Sequence, residues 1–385
     1  MTKNIYMNNR IKIRLYPIKN LENRVTIRLV FKIGSMNEEI AGLAHFVEHM
    51  QLSFDRMGLL KKHNRFTICG KTHLEYTMYE FNCCGDLESI GITFDIIKNI
   101  IEGKYLVSDF MEVIRKDILE ELHKKNFRSQ GVEDFVILTN KKDLPIGNEE
   151  AICKITFKDI WNFFYEKYCK VPVYICVVGN YVAKDTRDFV QRKLGYEKKD
   201  DTITKEYYHN NIINIIRRKE KISIYIPLNP KILTNLEGRV DMDLFAMLIE
   251  YYLEDFFDST LKKQIAIQNT IIRYAMNYQY LKFDMNNIED VSIENIWNLF
   301  LEFVAMQFNP TVIKEIINQY KNITENCLVD NEDVVEELTN YFVYGNAPFE
   351  RRKYVEILVK VEYDNLKKIF FEVLSGNIKK INIDS

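Results

Sequence analysis

Hydrophobic positions in the chain recur with a period of two in some stretches and three to four in others, and the changes of period mark the elements. Residues 25–33 alternate apolar and mostly polar side chains, as a half-buried strand does. Gly34-Ser35-Met36-Asn37 breaks the pattern. Ser35 followed by Glu38 fits a capping box, with Asn37 a rival N-cap, so a helix is expected to begin here. It carries Ile40, Leu43, Ala44, Val47 and Met50 as one apolar stripe. Residues 66–73 and 76–81, rich in β-branched and aromatic side chains, predict two strands. Residues 92–101 and 108–125 predict amphipathic helices. A helical segment after Gly131 leads to a turn at 142–147, then a helix over 155–168 and a buried strand over 171–179, whose Pro172 sits near its start.

The order then recurs in outline. A strand over 222–226, a helix over 240–257 and strands over 270–278 and 280–285 precede helices at 294–307, 311–324, 331–344 and 363–374. Polar and charged residues cluster over 192–211 without a repeated apolar pattern. The expected organisation is a domain over 1–195, a linker over 196–215 and a second, structurally similar domain over 216–385. Strands and helices in this order predict an α+β fold.

Composition narrows the function classes. With 385 residues, 47% of them hydrophobic, 28% charged and a net charge of −2, the chain is globular and has no general attraction to nucleic acid or anionic membranes. No stretch reaches the roughly 18 uninterrupted apolar residues of a membrane span. The first residues lack the apolar core of a signal peptide, and the seven cysteines show no Cys-x-x-Cys spacing. Reduced thiols in a cytoplasmic protein are therefore expected.

The chemistry concentrates in Gly42-Leu43-Ala44-His45-Phe46-Val47-Glu48-His49-Met50, which contains His-x-x-Glu-His, the inverted zinc motif of the inverzincins. On a helix His45 and His49 lie one turn apart on one face, so both imidazoles can reach one metal ion. Glu48 stands on the same side, where its carboxylate can act on water held by the metal. A single histidine on an apolar stripe is usually a packed core residue; two at this spacing with an adjacent Glu are not. A third ligand is required, commonly a carboxylate. On the helix over 108–125, Phe110, Ile114 and Ile118 form a stripe. At about 100° per residue, Glu121 falls close to Phe110 and Ile114 while Glu120 points away. Glu121 is thus a candidate ligand; pairing with a Lys or Arg, or reaching solvent, is the ordinary alternative. His63, His73 and His123 are rival ligands.

With these residues in view, the chain resembles the pitrilysin/insulinase family of zinc peptidases, in its short, mitochondrial-processing-peptidase-like form. The resemblance is densest over 25–50, 70–79, 112–122 and 144–180. It rests on Gly34-Ser35 with Glu38, on the turn Pro145-Ile146-Gly147, on Tyr168, and on Val177-Val178-Gly179-Asn180. The family's third zinc ligand is a Glu in a helix like Asp117-Ile118-Leu119-Glu120-Glu121, which implies His45, His49 and Glu121 as ligands of Zn2+ and Glu48 as general base. Its substrate-aligning strand corresponds to Cys69, Gly70, Lys71 and Thr72, although the family reads Asn-Ala-x-Thr there. A second family carboxylate is Ile114 here. The family's Arg and Tyr that grip the substrate carbonyl are not matched: Ala266 or Ile267 stands at the Arg position, and Arg273 and Tyr274 are adjacent.

The resemblance implies two similar domains, each a mainly antiparallel sheet packed with helices, together one half of a clam-shaped peptidase. It implies a homologous partner subunit that supplies Arg and Tyr, a peptide substrate, and no nucleic acid or membrane. A zinc half with such a degraded region is similar to the AlbE-type subunits of bacteriocin leader peptidases, which would place it in peptide maturation. The alternatives are a self-sufficient homodimeric processing peptidase and a non-catalytic subunit of the same fold.

Overall fold

A computed structural model of the chain describes residues 10–18, 23–55, 66–124, 145–194, 212–218, 221–262, 264–275, 278–287, 290–306, 310–326, 330–345, 351–374 and 377–382. The first sheet contains β1 (Ile11–Pro17), β2 (Arg24–Phe31), β3 (Thr67–Thr72), β4 (Thr77–Cys84) and β5 (Val173–Gly179) in the spatial order β1-β5-β2-β4-β3. β2, β3, β4 and β5 pair antiparallel, and β1 joins the edge parallel to β5. Every residue of β5 is buried, as expected of a Val- and Ile-rich strand flanked on both sides.

One face of this sheet presents Ile27, Leu29, Phe31, Tyr79, Phe81 and Ile175 to a helical layer. That layer comprises α1 (Leu43–Gln51), α2 (Leu87–Ile101) and α3 (Met111–Lys124). The stripes foreseen in the sequence are the buried ones: Leu43, Val47 and Met50 on α1, Ile114 and Ile118 on α3. The helix expected to start near Ser35 begins only at Leu43. Ser35–Asn37 is a single short 3-10 turn, in which Asn37 Oδ1 accepts from the Gly34 amide at 3.0 Å. Gly42 then enters a left-handed conformation (φ 86°) that an ordinary residue avoids, and the chain turns there into α1.

The opposite face of the sheet carries a buried charge. Arg28 on β2 lies directly across from Glu80 on β4, and its Nε and Nη2 donate to Glu80 Oε2 at 2.9 and 2.6 Å. Its Nη1 donates to Glu336 Oε2 at 2.6 Å and Thr339 Oγ1 at 3.1 Å. Glu336 and Thr339 belong to the helix Asn331–Tyr344, whose Phe342 stacks on Tyr174 of β5 with ring centroids 4.6 Å apart. The sequence reading assigned this helix to the domain over 216–385, yet it packs with the first sheet. The first compact unit is accordingly Met1–Ile203 with Val329–Val343, and the second is Thr204–Leu328 with Tyr344–Ser385.

The second unit contains β6 (Ile212–Arg218), β7 (Lys221–Leu228), β8 (Ala266–Ala275), β9 (Tyr278–Asn286) and β10 (Asn377–Asn382), ordered β10-β6-β7-β9-β8. Its parallel pair, β10 with β6, again lies at one edge. In the first sheet the outermost strand is the first in sequence; in the second it is the last. Ile222, Ile224, Leu281 and Phe283 face a helical core. The linker expected over 196–215 ends inside β6; its residues 196–211 lie outside the described residues. Among the described residues no helix is long and apolar enough to cross a membrane.

The Arg28 cluster makes an unequal prediction for its two carboxylates. The Glu80 side chain is 9% exposed and that of Glu336 51%. Glu80→Gln should destabilise the fold by about 3 kcal/mol, because it weakens the compensation of a buried charge. Glu336→Gln should cost about 1 kcal/mol or less, as a half-exposed pair does. Urea unfolding of the two variants measures both; equal losses would contradict the buried-charge account.

Candidate metal centre

The site is built from the N-terminus of α1. Glu38, itself buried, points its carboxylate at the first amides of the helix: Oε1 accepts from Gly42 N at 2.8 Å and Oε2 from Ala44 N at 2.7 Å. This satisfies amides that a helix start leaves without intrahelical partners and sets negative charge against the positive end of the dipole. The Pro145-Ile146-Gly147 turn seats against the same point. A Cβ on Gly42 would lie 2.8 Å from the Ile146 carbonyl oxygen, and one on Gly147 would lie 2.7 Å from Gly42 Cα. Two glycines, both at positive φ, allow that approach.

One turn into α1, the His45 and His49 rings meet edge to face at 88°, with their Nε2 atoms 3.1 Å apart. α3 delivers the third group. Glu121 Oε2 lies 3.3 Å from His49 Nε2 and 3.8 Å from His45 Nε2. Glu120, its neighbour, points outward and pairs with Lys124 at 3.2 Å and Lys116 at 3.9 Å. The stripe of Ile114 and Ile118 thus selects Glu121. Arg115 fixes the helix: its guanidinium donates to the carbonyls of Ile152 and Ile155, the latter at 2.8 Å, and lies over the Phe46 ring at 5.5 Å.

Glu48 is 4% exposed; its Oε2 lies 3.6 Å from His45 Nε2 and accepts from Thr72 Oγ1 at 3.4 Å. Among the described residues, His45, Glu48 and His49 place one donor atom each within 4.8 Å of one another. The electrostatics suit a cation. Burial works against a charged His49, but its hydrogen bond with Glu121 and the charges of Glu48, Glu121 and Asp117 outweigh it and raise its pKa. The geometry suits a small divalent ion such as zinc. Donor atoms about 2.0–2.1 Å from a tetrahedral ion stand about 3.3 Å from one another. The separations among His45, His49 and Glu121 are 3.1, 3.3 and 3.8 Å, and two imidazoles with one carboxylate are a donor set that zinc accepts.

The rival histidines lie elsewhere. His73 stacks on Tyr76 with centroids 4.2 Å apart, and burial pushes its pKa down to about 4. His123 is exposed and meets Glu149 at 3.3 Å. His63 lies outside the described residues. The strand candidates divide by the alternation of β3: Cys69 and Lys71 are exposed, while Gly70 and Thr72 turn toward Glu48. Among the described strands β3 is at the edge of its sheet. Ala266 and Ile267 open β8, where the Ile267 amide donates to Glu254 at 3.0 Å. Arg273 and Tyr274 are on the same strand, and their side chains lie outside the described residues. Glu38 and Arg115 are the supporting residues that the motif did not disclose. Glu38 carried a capping signal, read as a box with Ser35; Arg115 carried none.

Residues 16–149, from β1 to the helix after the Pro-x-Gly turn, match the profile of Insulinase (Peptidase family M16). An insulin-degrading enzyme homolog of Dictyostelium discoideum is 21% identical over 349 residues, covering 81% of this chain and 34% of that protein. The chain thus spans about a third of that relative's length. The first half of the periplasmic protease PqqL of Escherichia coli superposes with TM-score 0.72 at 16% identity, covering 98% of this chain and 91% of the other. An M16-like peptidase of Alicyclobacillus acidocaldarius gives TM-score 0.70 at 14% identity over 98% and 97%. At such identities these structures agree in fold: an α+β arrangement of antiparallel-rich sheets and helices, as in M16 half-proteins.

The two adjacent glutamates of α3 allow a direct check on the donor set. Glu121→Gln should weaken zinc binding by more than about 100-fold, since changes even to outer-shell partners cost 10–100-fold. Glu120→Gln should leave the affinity unchanged. Competition against a chromogenic chelator reads both, and equal affinities would remove Glu121 from the site.

Proposed function

We propose that the chain is a zinc-dependent endopeptidase subunit that hydrolyses short or leader peptides. The observation that carries this is the convergence of His45, His49 and Glu121 from two helices on one zinc-sized position, with Glu48 beside it. Zinc, when bound, supplies Lewis-acid activation of water and of the scissile carbonyl. His45, His49 and Glu121 hold it. Glu48 takes the proton of the attacking water at its carboxylate and later delivers it to the leaving amine nitrogen. Its burial beneath β3 keeps bulk water from competing for that proton. A peptide adds as a further strand to the open edge of β3, bound largely through its backbone.

A homologous partner subunit completes the enzyme in this proposal. Support comes from Ala266 and Ile267 at the place of the expected Arg, and from the match to the first half of PqqL, of whose whole chain this one covers 47%. The finer role, removal of leader peptides in bacteriocin maturation, rests on the resemblance to AlbE-type subunits. A homodimeric processing peptidase is the second reading, supported by Arg273 and Tyr274 on β8. The cytoplasmic reading rests on the seven scattered cysteines, which show no Cys-x-x-Cys spacing.

Zinc content and peptidase activity, measured for the chain alone and mixed with a homologous chain from its gene neighbourhood, test this. Zinc in the single chain with cleavage only after mixing supports the split enzyme. Full activity alone replaces the heterodimer with a homodimer, and absence of zinc in both leaves a non-catalytic subunit. In the active form Glu48→Gln should retain zinc while kcat falls about 10²–10⁴-fold.

A further inference from the structure

β3 presents two different faces. Gly70 and Thr72 turn toward Glu48, whereas Thr67, Cys69 and Lys71 turn the other way and are exposed. A peptide added to this edge continues the pleat of the sheet, so its side chains divide in the same manner. Residues opposite Gly70 and Thr72 point toward the metal centre. The residue opposite Lys71 points to the far side, with its Cβ about 4.5–5.5 Å from that of the lysine.

On that far side Lys71 is the one charge that β3 itself carries. Thr67 is neutral, and burial, reinforced by the charge of Glu80, raises the Cys69 thiol and keeps it protonated. His73, past the end of the strand, is held neutral by its burial, with a pKa of about 4. Among the described residues Lys71 forms no ion pair. The carboxylates further in are engaged, since Arg28 binds both Glu80 and Glu336. The register puts Glu80 opposite Cys69, one strand in, and Arg28 opposite Glu80, two strands in. At roughly 4.8 Å per strand, an added peptide lies about 10 Å from β4 and about 14 Å from β2. Those distances reach or exceed the Debye length of about 8–10 Å. The lysine is a direct neighbour.

A lysine on an edge strand ordinarily deters strand pairing. On an edge that accepts a peptide, the same charge sorts the peptides instead. It repels a basic side chain placed opposite and pairs with an acidic one. We infer that Lys71 is a specificity-determining residue, selecting peptides with Asp or Glu at the position opposite it on β3, next in sequence to a side chain that faces the metal centre. The inference rests on the peptidase reading above and names a substrate class for the same site.

An extended host peptide, with Glu or Lys placed in turn at successive positions along it, tests this in the active assembly. One position should favour Glu over Lys by about 10-fold in kcat/KM, since an opposite-charge cross-strand pair is worth up to about 5-fold and a like-charge pair costs a further few-fold. Lys71→Glu should invert that preference and Lys71→Met should abolish it, while both variants hold zinc as the wild type does. The positions on either side should respond to neither substitution. Binding of the same peptides to the Glu48→Gln variant, read by fluorescence anisotropy, gives the preference without catalysis. A Glu preference in binding that inverts when Lys71→Glu is added sustains the inference even if the wild type cleaves none of the peptides, an outcome that removes the peptidase reading alone. Cleavage with a preference indifferent to residue 71 overturns the inference and leaves the peptidase reading standing.

Discussion

The buried carboxylate of Glu38, closed over the first amides of α1, is the constraint on which the rest of the site depends. His45, Glu48 and His49 all ride on this nine-residue helix, so its starting point and axis set the direction of three functional side chains at once. A helix this short has little stability of its own and is held by packing and capping. Glu38 satisfies two amides, and the Gly42–Gly147 approach fixes where the turn begins. The Pro145-Ile146-Gly147 turn therefore acts at a distance of about a hundred residues in sequence, through backbone contact with Gly42. α3 answers from the other side, with Arg115 tying it both to the carbonyls of Ile152 and Ile155 and to the Phe46 ring on α1. Rigid elements on both sides are what place Glu121 against His49.

Charge buried in the sheets imposes a second constraint, and it recurs. On β2 and β4 it is Arg28 with Glu80; on β7 and β9 it is Asp284, which accepts from Ser223 at 2.7 Å and meets Lys221 at 2.7 Å and Lys282 at 3.3 Å. Both pairs of strands occupy corresponding places in their sheets, one strand in from the free edge and its inner neighbour. In the first unit a single carboxylate is not enough for Arg28, which also takes Glu336 and Thr339 from the returning helix. That helix further donates from Asn331 to the Arg24 carbonyl at 3.3 Å. The chain thus leaves the first unit, forms most of the second, and comes back to complete the first.

The sequence was most legible where periodicity and chemistry coincide. The spacing of His45 and His49 and the stripe through Ile114 and Ile118 identify side chains on a helix face, and the structure brings these together with Glu121. It was less legible wherever a partner lies far along the chain. β1 alternates Ile11, Ile13 and Leu15 with polar neighbours, a signal as clear as that of β2, but nothing local says where it pairs. β10, with two lysines among six residues, carries almost no signal, and β6 begins within the linker expected over 196–215. Each joins its sheet through the parallel edge pair, a long-range contact that local pattern does not encode. Nothing in the helix Asn331–Tyr344 announces that Glu336 completes Arg28. The capping signal at Glu38 was real, but its target was Gly42 and Ala44 rather than the residues beside Ser35.

Glu48 and Glu121 show why a motif alone does not assign roles. Both are glutamates within 4 Å of His45 Nε2. What separates them is their surroundings. Glu121 projects from α3, partly open, against the more accessible His49; Glu48 is 4% exposed and faces β3. Gly70 on β3 lies against the Glu48 carboxylate.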